Sequence, residues 1–284
     1  MKRLLLKARD GVLSARDFLL GGELRIAALA LGLGAIVVVL SSWDRYKDPA
    51  FREAILAEAH GMLFDILVIG MFILWLNLLR DRRERSRRFQ EEIDDYREWA
   101  SDEAAHRIAG NVRRLNALGV EAPVLSRCYL RKTDLRNAKL RGAPMHRVDL
   151  GESRLRGADL SGANLDTAFV GHSDLRNTIF DNALLVRARL IYVNANNASF
   201  RNADLRKADL RHGHFRSANF RGAKLDGTIF LGADLAGADI RNCPGLTADA
   251  LLQARNLGYA KLDPDLEVAI RGRNPALLDS YRQP

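Results

Sequence analysis

The residues best suited to chemistry are few and far apart. His212 and His214 stand one residue apart in RHGHF, and two imidazoles at that spacing are a start toward a zinc site. No third or fourth ligand accompanies them, so they read as surface histidines. Cys128 and Cys243 lie 115 positions apart, without a CxxC pair, and read as core thiols of a reducing compartment. No phosphate loop, dinucleotide fingerprint, nucleophile elbow or HExxH occurs. The acids beyond residue 130 are spread regularly and are not paired as general acid and base. The expectation is a chain that is not an enzyme and holds no cofactor or metal. Asp65 stands out differently: it interrupts an apolar run, and an ionisable residue inside a membrane is a functional candidate unless it sits near enough to the interface to hydrate.

That run is one of two. Ile26 to Trp43 is free of charge throughout, and Gly61 to Leu79 has Asp65 as its one acid. Each approaches the ~20 residues that cross a bilayer core. The segment before the first run contains Asp10, Asp17 and Glu23, which fits a cleaved signal poorly. Basic residues crowd the outer flanks, Lys2 to Arg25 and Arg80 to Arg88, while the loop 44–60 is mixed. The expected topology is a two-span hairpin in the cytoplasmic membrane with both termini cytoplasmic. Ala28-xxx-Gly32 and Ala30-xxx-Gly34 are small-residue patterns that let helices approach, consistent with a homo-oligomer. Neither run carries a TVGYG-like filter.

Residues 80–118 read as helix. Phe89, Ile93, Tyr96 and Ala100 share one helical face, which fits either a short coiled coil or packing on the chain's own domain. Ser101 is placed to cap a second helix that Gly119 stops.

From Leu130 to Ile240 every fifth residue is apolar through 23 units without an insertion, and alanine usually stands two positions earlier. Two residues at that spacing lie on the same side of an extended strand. A turn every five residues keeps that side inward, and four such sides close a coil of about 20 residues with ~4.8 Å between coils. Columns therefore run at every twentieth position, and one of them stacks Phe180, Phe200 and Phe220. Outside, Arg136, Arg156, Arg176 and Arg216 form a basic column. Ile179, Leu184, Val186, Ile191 and Tyr192 fall at outward positions and form a candidate interface.

ADLSG, ANLDT, ADLRK, ANFRG and ADLAG resemble the A(D/N)LXX pattern of the pentapeptide-repeat family over residues 128–242. The resemblance implies an all-β right-handed quadrilateral β-helix, here preceded by an α-helical transmembrane hairpin and a connector helix. The layout also resembles bacterial membrane-anchored members of that family. The organisation expected is a segment 1–24, a hairpin 25–80, a connector and cap 81–119, a repeat domain 124–243 and a helical cap and tail 244–284.

Some members of that family protect DNA gyrase by mimicking DNA, which requires an acidic rod. Residues 124–243 carry 20 lysines and arginines against 12 acids, the opposite sign. Direct nucleic-acid binding has the right sign but lacks aromatics interleaved with the cations. The expected role is a membrane-anchored scaffold with lipids and an unidentified protein as partners. The alternative is an oligomeric channel or membrane effector regulated by the solenoid.

Overall fold

The computed structural model describes residues 48–279, and their side chains except at 51–57, 59–64, 66 and 67. The chain divides into two units, Met1–Asn77 and Leu78–Pro284. Helix α1 spans Pro49–Asp95. Its start follows from local chemistry: Pro49 has no amide to leave unpaired, and the Asp48 carboxylate accepts from the Ala50 amide at 3.0 Å.

Among the described residues no helix is long and apolar enough to cross a membrane. The first expected span, 26–43, the segment 1–24 and the small-residue patterns lie outside the described residues. The second expected span lies in α1, where the described exposed apolar side chains run from Val68 to Leu78. The two-span hairpin is therefore not a feature of the described structure.

In the second unit, α1 ends at Asp95 and the chain turns through Glu98, whose φ is 63°. Helix α2, Asp102–Ala117, begins where the Ser101 hydroxyl accepts from the Ala104 amide. It ends in a Schellman motif: the Val120 amide donates to the Leu115 carbonyl and the Gly119 amide to the Asn116 carbonyl, each at 2.9 Å. Gly119 has a φ of 77°, as that motif requires. Ile93 of α1 and Ile108, Val112 and Leu115 of α2 are buried in one cluster with Leu125 and Leu130. Phe89 and Tyr96 pack against the same cluster. The apolar stripe of α1 is thus consumed inside the chain, which removes the basis for a coiled coil.

The repeat domain is a stack of four-sided coils. Parallel bridges join positions twenty apart, from Tyr129–Asp149 through Asn219–Asp239. The first side is centred on residues 140, 160 and so on to 240, the second on 125 to 225, the third on 130 to 230 and the fourth on 135 to 235. Each central side chain and the small residue two before it are buried. Beyond the first coil, a hydroxyl on that small residue donates to a carbonyl one coil away: Ser153 to Leu130 at 2.6 Å, Ser173 to Leu150 at 2.7 Å, Thr178 to Leu155 at 2.9 Å. On the first side Phe180, Phe200 and Phe220 stack with centroids 5.0 and 4.8 Å apart and planes within 4°. Phe215 meets Phe200 and Phe220 edge-on.

Two residues make each corner, and the second has positive φ. Glycine and asparagine accept that conformation readily, whereas other L-residues lose about 1–2 kcal/mol in it. Thr167, with a φ of 55°, is the one β-branched residue so placed among the described corners.

The cap and tail expected to be helical over 244–284 are helical only in part. Helix α3 is one turn, Ala248–Leu251, capped by the Thr247 hydroxyl. The chain then rejoins the solenoid: Asn256 bridges Asp234 and Lys261 bridges Asp239, each two positions later than the register of the preceding bridges. Leu257 and Leu262 take the buried central positions. The extra pair is absorbed in α3, and RNLGY and AKLDP are two further repeats out of frame. Helices α4, Pro264–Arg273, and α5, Ala276–Asp279, follow and bury Ile270 and Leu277.

Replacing Phe200 by alanine deletes the middle ring of the stack. The expected cost is ~3–5 kcal/mol in denaturant unfolding. Thr167→Asn is expected to stabilise the domain by about 1 kcal/mol, by relieving the left-handed backbone.

Candidate interaction surface

The outward residues of each side flank the central one, and the one before it is Asp or Asn in 11 of the 23 repeats. Backbone accounting gives the reason. Of the five amides in a repeat, three donate to carbonyls of neighbouring coils, as Leu130 to Asp149 (2.7 Å), Lys132 to Gly151 (2.9 Å) and Asp149 to Cys128 (3.0 Å). A fourth closes the turn, as Ala138 to Leu135 at 3.1 Å. The fifth, on the first corner residue, has no carbonyl partner in these repeats; where Asp or Asn stands two residues earlier it can take that side-chain oxygen, and Arg201 and Arg216 take Asp181 and Asn196 of the preceding coil instead. Gly151 donates to Asp149 Oδ1 at 3.0 Å, Ser161 to Asp159 Oδ1 at 3.0 Å and Arg221 to Asn219 Oδ1 at 3.0 Å.

The same carboxylates neutralise the arginines. In Asp-Leu-Arg the acid and the base are neighbours along one side of a strand. Arg136 is bidentate on Asp134, with Nη2 to Oδ2 at 2.6 Å. Asp174–Arg176, Asp204–Arg206, Asp209–Arg211 and Asp239–Arg241 repeat the pair, each at 2.7 Å. Asp234, whose side chain is 0 % exposed, receives both Arg216 at 2.7 Å and Arg255 at 3.2 Å.

The expected basic column is corrected accordingly. Arg136, Arg156, Arg176 and Arg216 do share the fourth side, but three of them are ion-paired, and Arg156 faces the charge of Asp174. The Arg136 hydrogen bond holds the Asp134 carboxyl down to about 2 against the opposing effect of burial. Asp174, Asp204 and Asp239 are lowered by their own arginines in the same way. Burial acts most strongly on Asp209 and Asp234 and opposes ionisation, but the arginines outweigh it and both are lowered.

The candidate interface is also redistributed. Ile179 bridges Asp159 and Ser199 on the first side, and Leu184 bridges Asn164 and Asp204 on the second. Val186 follows Leu184 on the second side, Ile191 is on the third, and Tyr192 is at the corner after it. Ile179, Leu184 and Tyr192 are exposed, while Val186 and Ile191 are half-buried. A run contiguous in sequence thus wraps round three sides and forms no single patch.

Two aromatic arrangements were not anticipated. At the corner after the third side, Tyr192 lies between His172 and His212, with ring centroids 5.1 and 4.9 Å away. His212 is therefore part of a ring ladder, while His214 lies on the fourth side, where it bridges Asn194 and Asp234. Among the described residues no group of three or more metal-type ligands forms. On the third side the Phe169 ring is clamped between the guanidinium groups of Arg131 and Arg189, 5.6 and 5.1 Å from its centroid. It lies over Gly151 and Gly171, where an added Cβ would meet the ring at 2.7 and 2.8 Å. A lone phenylalanine in an outward column, with glycines diagonal to it, is the sequence signal for this plate. The third side also exposes Ile229 and Leu231.

At the N-terminal end, Arg82 of α1 donates to the Leu118 carbonyl that closes α2, with Nε at 2.8 Å. Asn116 holds α2 to the first coil through the Lys139 amide and carbonyl, at 2.8 Å each. The open cleft between α1 and α2 is lined by both signs of charge, including Glu92, Glu103, Arg107 and Arg113. Asp65 is exposed on α1. Burial pushes the Cys128 and Cys243 thiols up to about 11, away from nucleophilic chemistry.

A family model agrees with this geometry. The model of pentapeptide repeats matches in eight copies over residues 124–157, 145–182, 183–222 and 214–243, so residues 124–243 are a pentapeptide-repeat domain. A pentapeptide repeat protein from the cyanobacterium Cyanothece 51142 is 24% identical over 43% of this chain and 93% of its own, with a TM-score of 0.34. One from the Arabidopsis thaliana thylakoid lumen is 28% identical over 41% of this chain and 73% of its own, with a TM-score of 0.22. HetL from Nostoc sp. strain PCC 7120, described as involved in heterocyst differentiation regulation, is 26% identical over 54% of this chain and 90% of its own, with a TM-score of 0.17. No curated protein matches the chain.

The lowered aspartates make stability pH-dependent. Their contribution is complete above the unfolded aspartate range near ~3.9 and is lost as pH falls toward their folded values. The melting temperature should be flat from about pH 7 to 5 and fall steeply below about pH 4. Asp204→Asn, which keeps an acceptor for the Arg206 amide, should flatten part of that acid slope. Asp204→Ala should cost a further ~1–3 kcal/mol at neutral pH through the unpaired amide.

Proposed function

We propose that the chain is a non-enzymatic interaction module, a pentapeptide-repeat rod held at the cytoplasmic membrane and presented to a protein partner in the cytoplasm. One observation carries the membrane part. Every large apolar side chain of α1 from Val68 to Leu78 is exposed, on all faces of the helix. A helix apolar all round belongs in a protein core or a bilayer. The apolar sequence extends back to Gly61 and forward to Leu79, and arginines from Arg80 to Arg88 follow it at once. They suit anionic headgroups at about 1 kcal/mol each.

The interaction part draws on the third side. Its Phe169 plate, the exposed Ile229 and Leu231 and the Tyr192 ladder give rigid apolar and aromatic surface, the composition that recurs at the centre of protein interfaces.

Washing membranes with alkaline carbonate tests the anchor. The full chain should stay in the pellet, and Ile73→Arg combined with Leu74→Arg should shift it toward the supernatant, since each charge costs roughly 2.5–3.5 kcal/mol at mid-bilayer. Release of the unmutated chain by carbonate would remove the reading. A photo-crosslinker at Leu231 should yield one protein adduct that a crosslinker at Asn182 does not.

A further inference from the structure

The four corners of the coil differ in kind. Between residues 137 and 242, the corners after the first and fourth sides place only glycine, asparagine and one serine at the positive-φ position. Those types suit left-handed backbone. The corner after the second side instead holds Arg147, Thr167, Arg187 and Lys207 in succession, with φ between 55° and 58°. Left-handed backbone disfavours such side chains. The fold gains nothing from them: all three cations are exposed, and among the described residues none has the short carboxylate contact that holds Arg136, Arg176 or Arg206. Residues held in a disfavoured conformation without a structural return point to function.

Their neighbours indicate the ligand. Leu184 and Val186 stand on the second side in the same coil as Arg187, and Leu184 is 46% exposed in a column whose neighbours Asn164, Asp204 and Lys224 are polar. Arg147 to Lys207 spans three coils, about 14 Å along the rod. The corner of a four-sided coil is convex, so it offers no groove for a peptide or helix. A row of such cations with apolar side chains beside it, on a ridge, fits a planar and deformable anionic surface.

We propose that the corner formed by Arg147, Arg187 and Lys207, with Leu184 and Val186 beside it, docks on anionic lipid headgroups as a second membrane contact. The inference rests on the reading that the chain is held at a membrane. Tethering raises the local concentration of headgroups, so a contact too weak to recruit a free protein becomes populated.

The test uses the full chain in vesicles, with an environment-sensitive fluorophore on Leu184→Cys or, as a control on the first corner of the same coil, on Asn182→Cys. The native thiols, Cys128 buried and Cys243 half-buried and both raised to about 11, compete poorly for the label. In phosphatidylcholine containing about one quarter phosphatidylglycerol, the Leu184→Cys label should shift to the blue and brighten about twofold or more, with quenching by brominated lipid. It should not change in pure phosphatidylcholine, and Asn182→Cys should not change in either. Arg187→Gln with Lys207→Gln should abolish the response while leaving the melting temperature unaltered. Equal emission in both vesicles overturns the proposal. So does an equal response at Asn182→Cys, or a response that grows with protein concentration in the absence of lipid, which is the signature of a protein contact. Carbonate extraction of the same vesicles reads the span separately: a chain that is extracted yet shows the lipid-dependent signal loses its anchor and keeps its ridge.

Discussion

One amide in five has no carbonyl to bind in the repeat domain, and the rest of the surface follows from how it is satisfied. The first corner residue turns its N–H out of the ladder, and an Asp or Asn oxygen two residues earlier takes it, as Asp149 does for Gly151. That need accounts for the Asp or Asn found at this position in 11 of the 23 repeats. Once the acceptor is a carboxylate, an arginine two residues on is drawn into a bidentate pair at no cost in backbone geometry. The side faces of the rod are therefore electrostatically quieter than the net charge of the chain implies. At the second residue of the corner after the second side, Arg147, Arg187 and Lys207 keep their charge without a short carboxylate contact among the described residues.

The interior was legible because it depends on arithmetic alone. A period of five, with pairs two apart, closes after four sides, and the phenylalanine stack falls out of it without knowledge of any angle. The Ser101 cap and the Gly119 stop were legible for the same kind of reason, since each is a local hydrogen-bonding requirement. The outer surface was harder to read. Counting in twenties groups Arg136, Arg176 and Arg216 into a column and overlooks that Asp134 and Asp174 lie closer to them along the strand. Reading 179–192 as one patch made the opposite error, following the chain where the fold turns it through three sides.

The C-terminal end shows a third limit. RNLGY and AKLDP carry the repeat signature, but the slip of two positions before them breaks the frame on which the pattern was read. A short amphipathic segment that is one helical turn followed by coil cannot be told from a helix by periodicity. The structure resolves it through α3, which absorbs the slip so that Leu257 and Leu262 return to the interior.

The four-sided coil also quantises what lengths the rod can take. Removing or duplicating a whole coil keeps every column in line, so the rod grows or shortens with its faces unchanged. Losing a single pentapeptide leaves each remaining core position filled and each ladder closed, yet turns everything beyond it through a quarter of a revolution about the axis. Such a change would cost the burial of one repeat and re-pair the columns, and it would aim the distal faces in a new direction. In this architecture the heading of a surface is set by the residue count modulo twenty, separately from the chemistry of the surface itself.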